Sequence, residues 1–341
     1  MRELVIHSIK SCDILEQLKV HLDGELIEQW GEIVLNFNNK FGKGQIRCIE
    51  FDFGVSLMDY DVHFLEDTKI IFDSKEAQPI EFIFVSEGSM KYYCEAENRE
   101  YNFEPFQNII VSNDNNSTGV YIFPEKVSVK VNFIYVLRKK YAKKKNNNLS
   151  YLNEKLLATF KDEEVTNVYK HFGNFNLKIA DKIRQLNESY ESGIVRTLSL
   201  EGQLNLIMAM QILEHSNYEE GKGVPDSMSK EDIKKIHELS GYIIDNISES
   251  LTIASLSERS GLSPKKLQLG FSVLDSKSVN EYVRQMKLEV SRDYIKNSNK
   301  SISEIVYNIG FKSRSYFSKI FFEKYGILPV DYRKKINSVK K

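Results

Sequence analysis

Hydrophobic positions along this chain change their period, and each change marks a different kind of element. Between about residues 33 and 136 the period is two. Val127, Val129, Val131, Phe133 and Tyr135 alternate with Ser128, Lys130, Asn132 and Ile134, the spacing of a strand with two distinct faces. Similar runs occupy residues 45–53, 68–72 and 80–85, and turn-forming stretches at 86–89 and 112–116 punctuate them. Many short strands with such turns predict a small barrel or sandwich. Residues 138–145 (RKKYAKKK) then read as a basic connector, a solvated loop closing the barrel.

From 149 to 215 the period becomes helical. Leu152, Leu156 and Phe160 open it, and the run 194–213 closes it. That run is more apolar than one face of a surface helix requires. It either packs on the barrel or forms an interface between two chains. The acidic stretch 216–231, which carries Gly and Pro, reads as a linker.

The last third, 234–335, carries one helix-turn-helix pattern twice. In the second copy, Ser301 and Glu304 form a capping box that starts a helix. Ile302, Ile305, Val306 and Ile309 share one face, and Gly310 supplies the left-handed turn. A second helix follows, with Tyr316, Phe317, Ile320 and Phe321 expected inward and Arg314, Ser315 and Lys319 outward. The first copy runs from Thr252 through Gly261, with Ser263 and Pro264 starting its second helix. Gly261 and Gly310 stand about 49 positions apart, and Phe271/Phe321 and Tyr282/Tyr332 about 50, the register of a duplicated unit. Between the copies, 279–297 reads as one long helix with Tyr282, Val283, Met286, Leu288 and Ile295 on its apolar side. Such a spacer would hold two recognition helices at a fixed separation.

These residues resemble the DNA-binding domain of the AraC/XylS family of bacterial transcription regulators. The likeness covers about 100 residues and is densest at 301–335: an apolar pair, Gly-Phe, Ser-x-x-Phe, Phe-x-x-x-x-Gly, then Pro-x-x-Tyr-Arg. A recognition helix reads the major groove with side chains near its N-terminus. In the first copy these are Lys265, Lys266 and Gln268, a glutamine being suited to adenine and a lysine to guanine. The resemblance puts Lys265, Gln268 and Leu269, then Arg314, Ser315 and Lys319, at the family's base-facing positions. The first copy departs from the pattern. Ser257 and Ser260 replace small apolar residues, Asp275-Ser276 stand where the second copy has Tyr325-Gly326, and Leu269 offers no hydrogen bond. The second copy is therefore expected to be the stronger anchor. The resemblance further implies a cupin-like sensor barrel for a small-molecule effector, a helical dimerisation segment, a homodimer, and RNA polymerase as a partner.

Charge separates the halves. Residues 1–230 hold 27 Lys plus Arg against 35 Asp plus Glu, and 231–341 hold 20 against 13. Only the basic end suits a polyanion. Cys12, Cys48 and Cys94 lack any CxxC spacing, so neither a zinc ribbon nor a redox pair is indicated. No apolar run approaches a membrane span or a signal peptide, and a cytoplasmic protein is expected. None of the six histidines has HxH or HxxxH spacing, and the chain carries no nucleophile elbow or phosphate loop. Catalysis, a metal and a cofactor are not expected. Tyr92, Tyr93, Tyr101, Phe103, Phe106, Tyr121 and Phe123 are available either as core or as pocket lining.

The resulting expectation is an α+β chain of four parts. A β-rich cupin-like sensor spans 1–145, a helical dimerisation segment 146–215, a linker 216–231, and an all-α double helix-turn-helix domain 232–341. Its function would be effector-controlled, sequence-specific regulation of transcription on double-stranded DNA. The alternatives are a constitutive DNA binder whose barrel only dimerises, and a cupin-type enzyme with a helical tail.

Overall fold

The alternating stretches form two sheets in the first of two units, Met1–Gly223 and Val224–Lys341. The computed structural model describes every residue except 75–77, 116, 188–191, 222–224, 226, 276 and 340–341. In chain order the first unit opens with β1 (Arg2–Ile6), α1 (Ser11–Leu22), β2 (Glu25–Gln29), β3 (Glu32–Asn39), β4 (Gly42–Glu50) and β5 (Val55–Phe64). It continues with β6 (Thr68–Phe72), β7 (Ile80–Glu87), β8 (Met90–Cys94), β9 (Arg99–Phe103), β10 (Gln107–Ser112), β11 (Gly119–Phe123) and β12 (Ser128–Val136). It ends with α2 (Arg138–Tyr141), α3 (Glu154–Lys161), β13 (Tyr169–Phe175), α4 (Leu177–Asn187) and α5 (Gly193–Glu219).

One sheet has five strands in the order β1-β6-β11-β8-β9, and the other eight in the order β13-β10-β7-β12-β5-β4-β3-β2. Only β1 and β6 pair in parallel among the described strands. The sheets meet through rings, with Tyr60 of β5 5.7 Å from Phe123 of β11 and Tyr121 of β11 5.1 Å from Phe133 of β12. No hydrogen-bonded ladder joins the two sheets among the described residues, so the expected closed barrel is instead an open sandwich. Facing sheets can seal a core by interdigitating side chains, without a continuous ring of backbone bonds.

At β7 the larger sheet is buried on both faces. Ile83 and Val85 of β7 point into the sandwich, whereas Phe82 and Phe84 face a layer that includes Phe160 of α3, Ile183 of α4 and Leu204 of α5. This explains why Phe82, Ile83, Phe84 and Val85 of β7 read as a continuous apolar run. The helical stretch expected from 149 to 215 is interrupted by β13, which pairs with β10 from Gln107↔Phe175 to Ser112↔Tyr169. The basic connector also differs from a solvated loop. Arg138 is buried and donates to the Thr159 and Gln78 carbonyls and to Ser112, and burial lowers its pKa to about 10. Three buried acceptors compensate the guanidinium for lost water. The linker region likewise begins as helix, because α5 runs to Glu219.

The second unit is α6 (Lys230–Asp245), α7 (Ile253–Ser260), α8 (Pro264–Asp275), α9 (Val279–Asn297), α10 (Ile302–Asn308), α11 (Arg314–Tyr325) and α12 (Pro329–Val339). Capping boxes start α6, α7, α9 and α10. Phe271 meets Tyr282 at 4.9 Å between ring centroids, and their counterparts Phe321 and Tyr332 meet at 6.0 Å. The same aromatic contact thus recurs at duplicated positions.

Candidate nucleic-acid interface

Two tight turns present two helices. At the first, the Thr252 hydroxyl accepts from the Ser255 N–H, α7 ends at Gly261 (φ +66°), and the Ser263 hydroxyl accepts from the Lys266 N–H at 3.3 Å. At the second, Ser301 and Glu304 cap α10 reciprocally, Gly310 has φ +69°, and Ser313 accepts from the Tyr316 N–H at 3.2 Å. Leu256, Leu262, Leu267 and Phe271 seal the first pair of helices; Ile305, Ile309, Phe317 and Phe321 seal the second. The unexpected serines of the first copy also have partners. Ser257 donates to the Leu262 carbonyl at 2.5 Å and Ser260 to the Leu256 carbonyl at 2.7 Å. Hydroxyls there stitch the turn where the family pattern would bury methyl groups.

The base-facing candidates fall into two groups. Arg314, Ser315, Lys319 and Lys265 are exposed. Arg314 reaches the Ser303 hydroxyl at 3.4 Å, and Lys319 lies 3.9 Å from Glu323, loose surface contacts that water or phosphate can replace. Lys266 is more engaged, with its ammonium 2.6 Å from Asp232 at the start of α6. That hydrogen bond is the chief reason the Asp232 carboxyl is held down at about 2. Gln268 accepts from the Val279 N–H at 3.3 Å and so helps start α9, and Leu269 is half-buried. Lys266 and Gln268 therefore also serve as struts between helices.

Tyr316, expected inside, is 47% exposed at the first turn of α11, its ring edge-on to Phe311 at 5.9 Å. It sits beside Arg314 and Ser315, and helical neighbours of a buried Phe317 leave it little apolar surface to cover. Sequence reasoning also missed Lys287. It is buried on α9, donates to the Gly310 carbonyl at 3.3 Å and lies 5.4 Å from the Phe311 ring centroid. Burial lowers its pKa. Its position between Val283, Ser291 and Ile295 on one i, i+4 stripe was the available signal. Through Lys287, the long helix grips the second turn directly.

The first unit carries a buried polar cluster between its sheets. Tyr121 donates to Glu81, whose carboxyl burial raises to about 7, and Tyr92 donates to Asn113. The Tyr135 hydroxyl is buried and has no hydrogen-bond partner among the described residues. Of the aromatics singled out from sequence, Tyr92, Phe103, Tyr121 and Phe123 are buried here, Tyr101 packs on Phe172 at 4.9 Å, and Phe106 packs towards the helices. Tyr93 is half-buried and donates to Asn98. Cys12 and Cys48, distant in sequence, bring their sulfurs to 4.0 Å, with burial the first cause raising both thiol pKa values.

A family model for a helix-turn-helix domain matches residues 256–335. The regulatory protein SoxS of Escherichia coli is 27% identical over 103 residues, 30% of this chain and 96% of that protein. The multiple antibiotic resistance protein MarA of Salmonella typhimurium is 31% identical over 98 residues, 29% of this chain and 77% of that protein. Among solved structures, the C-terminal domain of AraT, a response regulator from Geobacillus stearothermophilus, covers 30% of this chain and 84% of its own at 24% identity, with a TM-score of 0.29. Two helix-turn-helix units on a common spacer, with the family match and the SoxS and MarA likenesses, define a DNA-binding transcriptional regulator. The chain belongs to the AraC/XylS family. No described helix is long and apolar enough to cross a membrane.

Proposed function

We propose that α8 and α11 enter successive major-groove segments of one DNA site, with Arg314, Ser315 and Lys319 as the stronger anchor and Lys265, Lys266, Gln268 and Leu269 as the weaker. The observation that carries this reading is the contrast between copies: all three candidates on α11 are exposed, whereas Lys266 and Gln268 of α8 hold neighbouring helices. Lysine and arginine supply affinity through phosphates, and base edges supply preference. Selection of bound fragments from genomic DNA by the full-length protein tests it. Recovery of a common site by wild type, and its loss with Arg314→Ala, is the expected result. Unaltered recovery with that variant contradicts it.

The first unit is proposed as a cupin-like effector sensor and a dimerisation module. Support for the effector comes from Glu81 and the partnerless Tyr135 hydroxyl, buried among aromatic rings where an unsatisfied polar group costs about 1–3 kcal/mol. A small, largely apolar molecule with a hydrogen-bonding head would satisfy the Tyr135 hydroxyl. Support for the homodimer comes from α5, whose Leu200, Leu204 and Ile207 face the sheet while Val195, Leu198, Leu206 and Leu213 form an exposed apolar stripe. A two-fold pairing of such helices buries the stripe of both chains. RNA polymerase remains the partner implied for a regulator of this family. A thermal-shift screen of small molecules against wild type and Tyr135→Phe tests the sensor. A compound that stabilises wild type more than the variant supports it; no stabilising compound favours constitutive binding.

A further inference from the structure

His171 on β13 and His215 on α5 are brought together by the fold, their ring centroids 4.5 Å apart. Both are deeply buried, at 4% and 0% exposure. Glu219, one turn beyond His215, completes a set whose candidate ligand atoms all lie within 4.8 Å of one another. His171 Nε2 and His215 Nδ1 have no hydrogen-bond partner among the described residues. Buried imidazole nitrogens are normally satisfied, so two orphaned together point to a missing partner. Outer contacts are already in place. The Tyr169 hydroxyl lies 2.5 Å from His215 Nε2, and when it accepts from that nitrogen, Nδ1 carries the free lone pair. Glu214, held by the Asn108 side chain at 2.6 Å and the Asn174 N–H at 3.1 Å, flanks His171 Nε2 at 3.8 Å.

We propose that His171, His215 and Glu219 bind a divalent first-row transition-metal ion, zinc being the best fit, which fastens the last turn of α5 to β13. Two imidazoles and one carboxylate are borderline donors that suit zinc and its neighbours, whereas calcium and magnesium call for all-oxygen shells. Three protein ligands leave a coordination position for water or a further donor. Glu219 is paired with Lys155, 2.6 Å away, so the ion competes with a surface ammonium for the carboxylate. This site is independent of the proposed effector position between the sheets.

The test is a cobalt(II) titration of the untagged full-length protein, followed by visible absorption and then by displacement with zinc. Saturation at one ion per chain is expected, with the absorption lost in His171→Ala and His215→Ala. Because those substitutions open the core, two variants outside the buried pair decide the matter if either fails to fold. Glu219→Gln should weaken binding by at least about tenfold, since even outer-shell losses reach about 10–100-fold. Lys155→Ala should tighten it by freeing the carboxylate. Opposite shifts in these two support the site. No saturable absorption, or affinity unchanged in both variants, overturns it.

Discussion

Gly261 and Gly310 occupy the same place in the two turns but have different surroundings, so one substitution in each separates backbone strain from crowding. Both adopt a left-handed backbone, φ +66° and +69°. For a residue with a β-carbon this conformation costs about 1–2 kcal/mol. A β-carbon at 261 would meet nothing within 4 Å. At 310 it would lie 2.6 Å from the Ser248 carbonyl oxygen and 2.9 Å from Lys287 Nζ. The ammonium can swing away, but the carbonyl is backbone, and forced shifts of this kind cost about a further 1–3 kcal/mol. Gly261→Ala should therefore destabilise its turn by about 1 kcal/mol and Gly310→Ala by about 3 kcal/mol. Hydrogen exchange of the α7–α8 and α10–α11 amides reads these as local opening, about fivefold and about 150-fold faster respectively. Equal acceleration in the two variants would show that the Ser248 and Lys287 contacts yield freely and would refute the reasoning.

Other outcomes follow from the same geometry. The Glu81 carboxyl, raised by burial to about 7, holds a proton in the folded state that the unfolded chain releases near its ordinary value. Folding is then favoured at low pH, and about 3 kcal/mol is lost as pH rises from about 4.5 to 7. Urea midpoints across that range should fall less in Glu81→Gln than in wild type; parallel curves would count against it. Leu198→Asp on the exposed face of α5 should convert the proposed homodimer to monomers in sedimentation without lowering the melting temperature of the first unit. Lys319→Ala should reduce the slope of log affinity against log salt by about 1, and Arg314→Ala should cost about 1–3 kcal/mol of specific binding. A smaller loss for Arg314→Ala than for Lys265→Ala would reverse the proposed ranking of the two copies.

The second unit was largely legible in sequence because its signals are local. Capping boxes at Ser301/Glu304, a turn glycine at 310 and an N-cap serine at 263 each act within four residues. The Phe271/Phe321 and Tyr282/Tyr332 repeats carry the duplication in the sequence itself. What escaped depends on distant partners. Lys266 looks free until α6 brings Asp232 beside it, and Gln268 looks like a base reader until α9 starts against its amide. Tyr316 reads as inward beside Phe317, Ile320 and Phe321, yet Phe317 and Phe321 already fill that side of α11. In the first unit, β13 hid in a helical-looking stretch because its place beside β10 is set across some 60 residues of chain. Arg138 looked solvated because its acceptors lie on three other segments. The His171–His215 pair lacks any ligand spacing, and only the packing of α5 on β13 creates it.

Hydroxyl-radical footprinting of the full-length protein on a selected DNA site tests the double reader most directly. Two protected patches about 34 Å apart on one face of the duplex are predicted. Arg314→Ala should erase one patch, and Lys265→Ala should weaken the other. A single patch, or protection indifferent to both substitutions, would contradict a chain that reads DNA with α8 and α11 together.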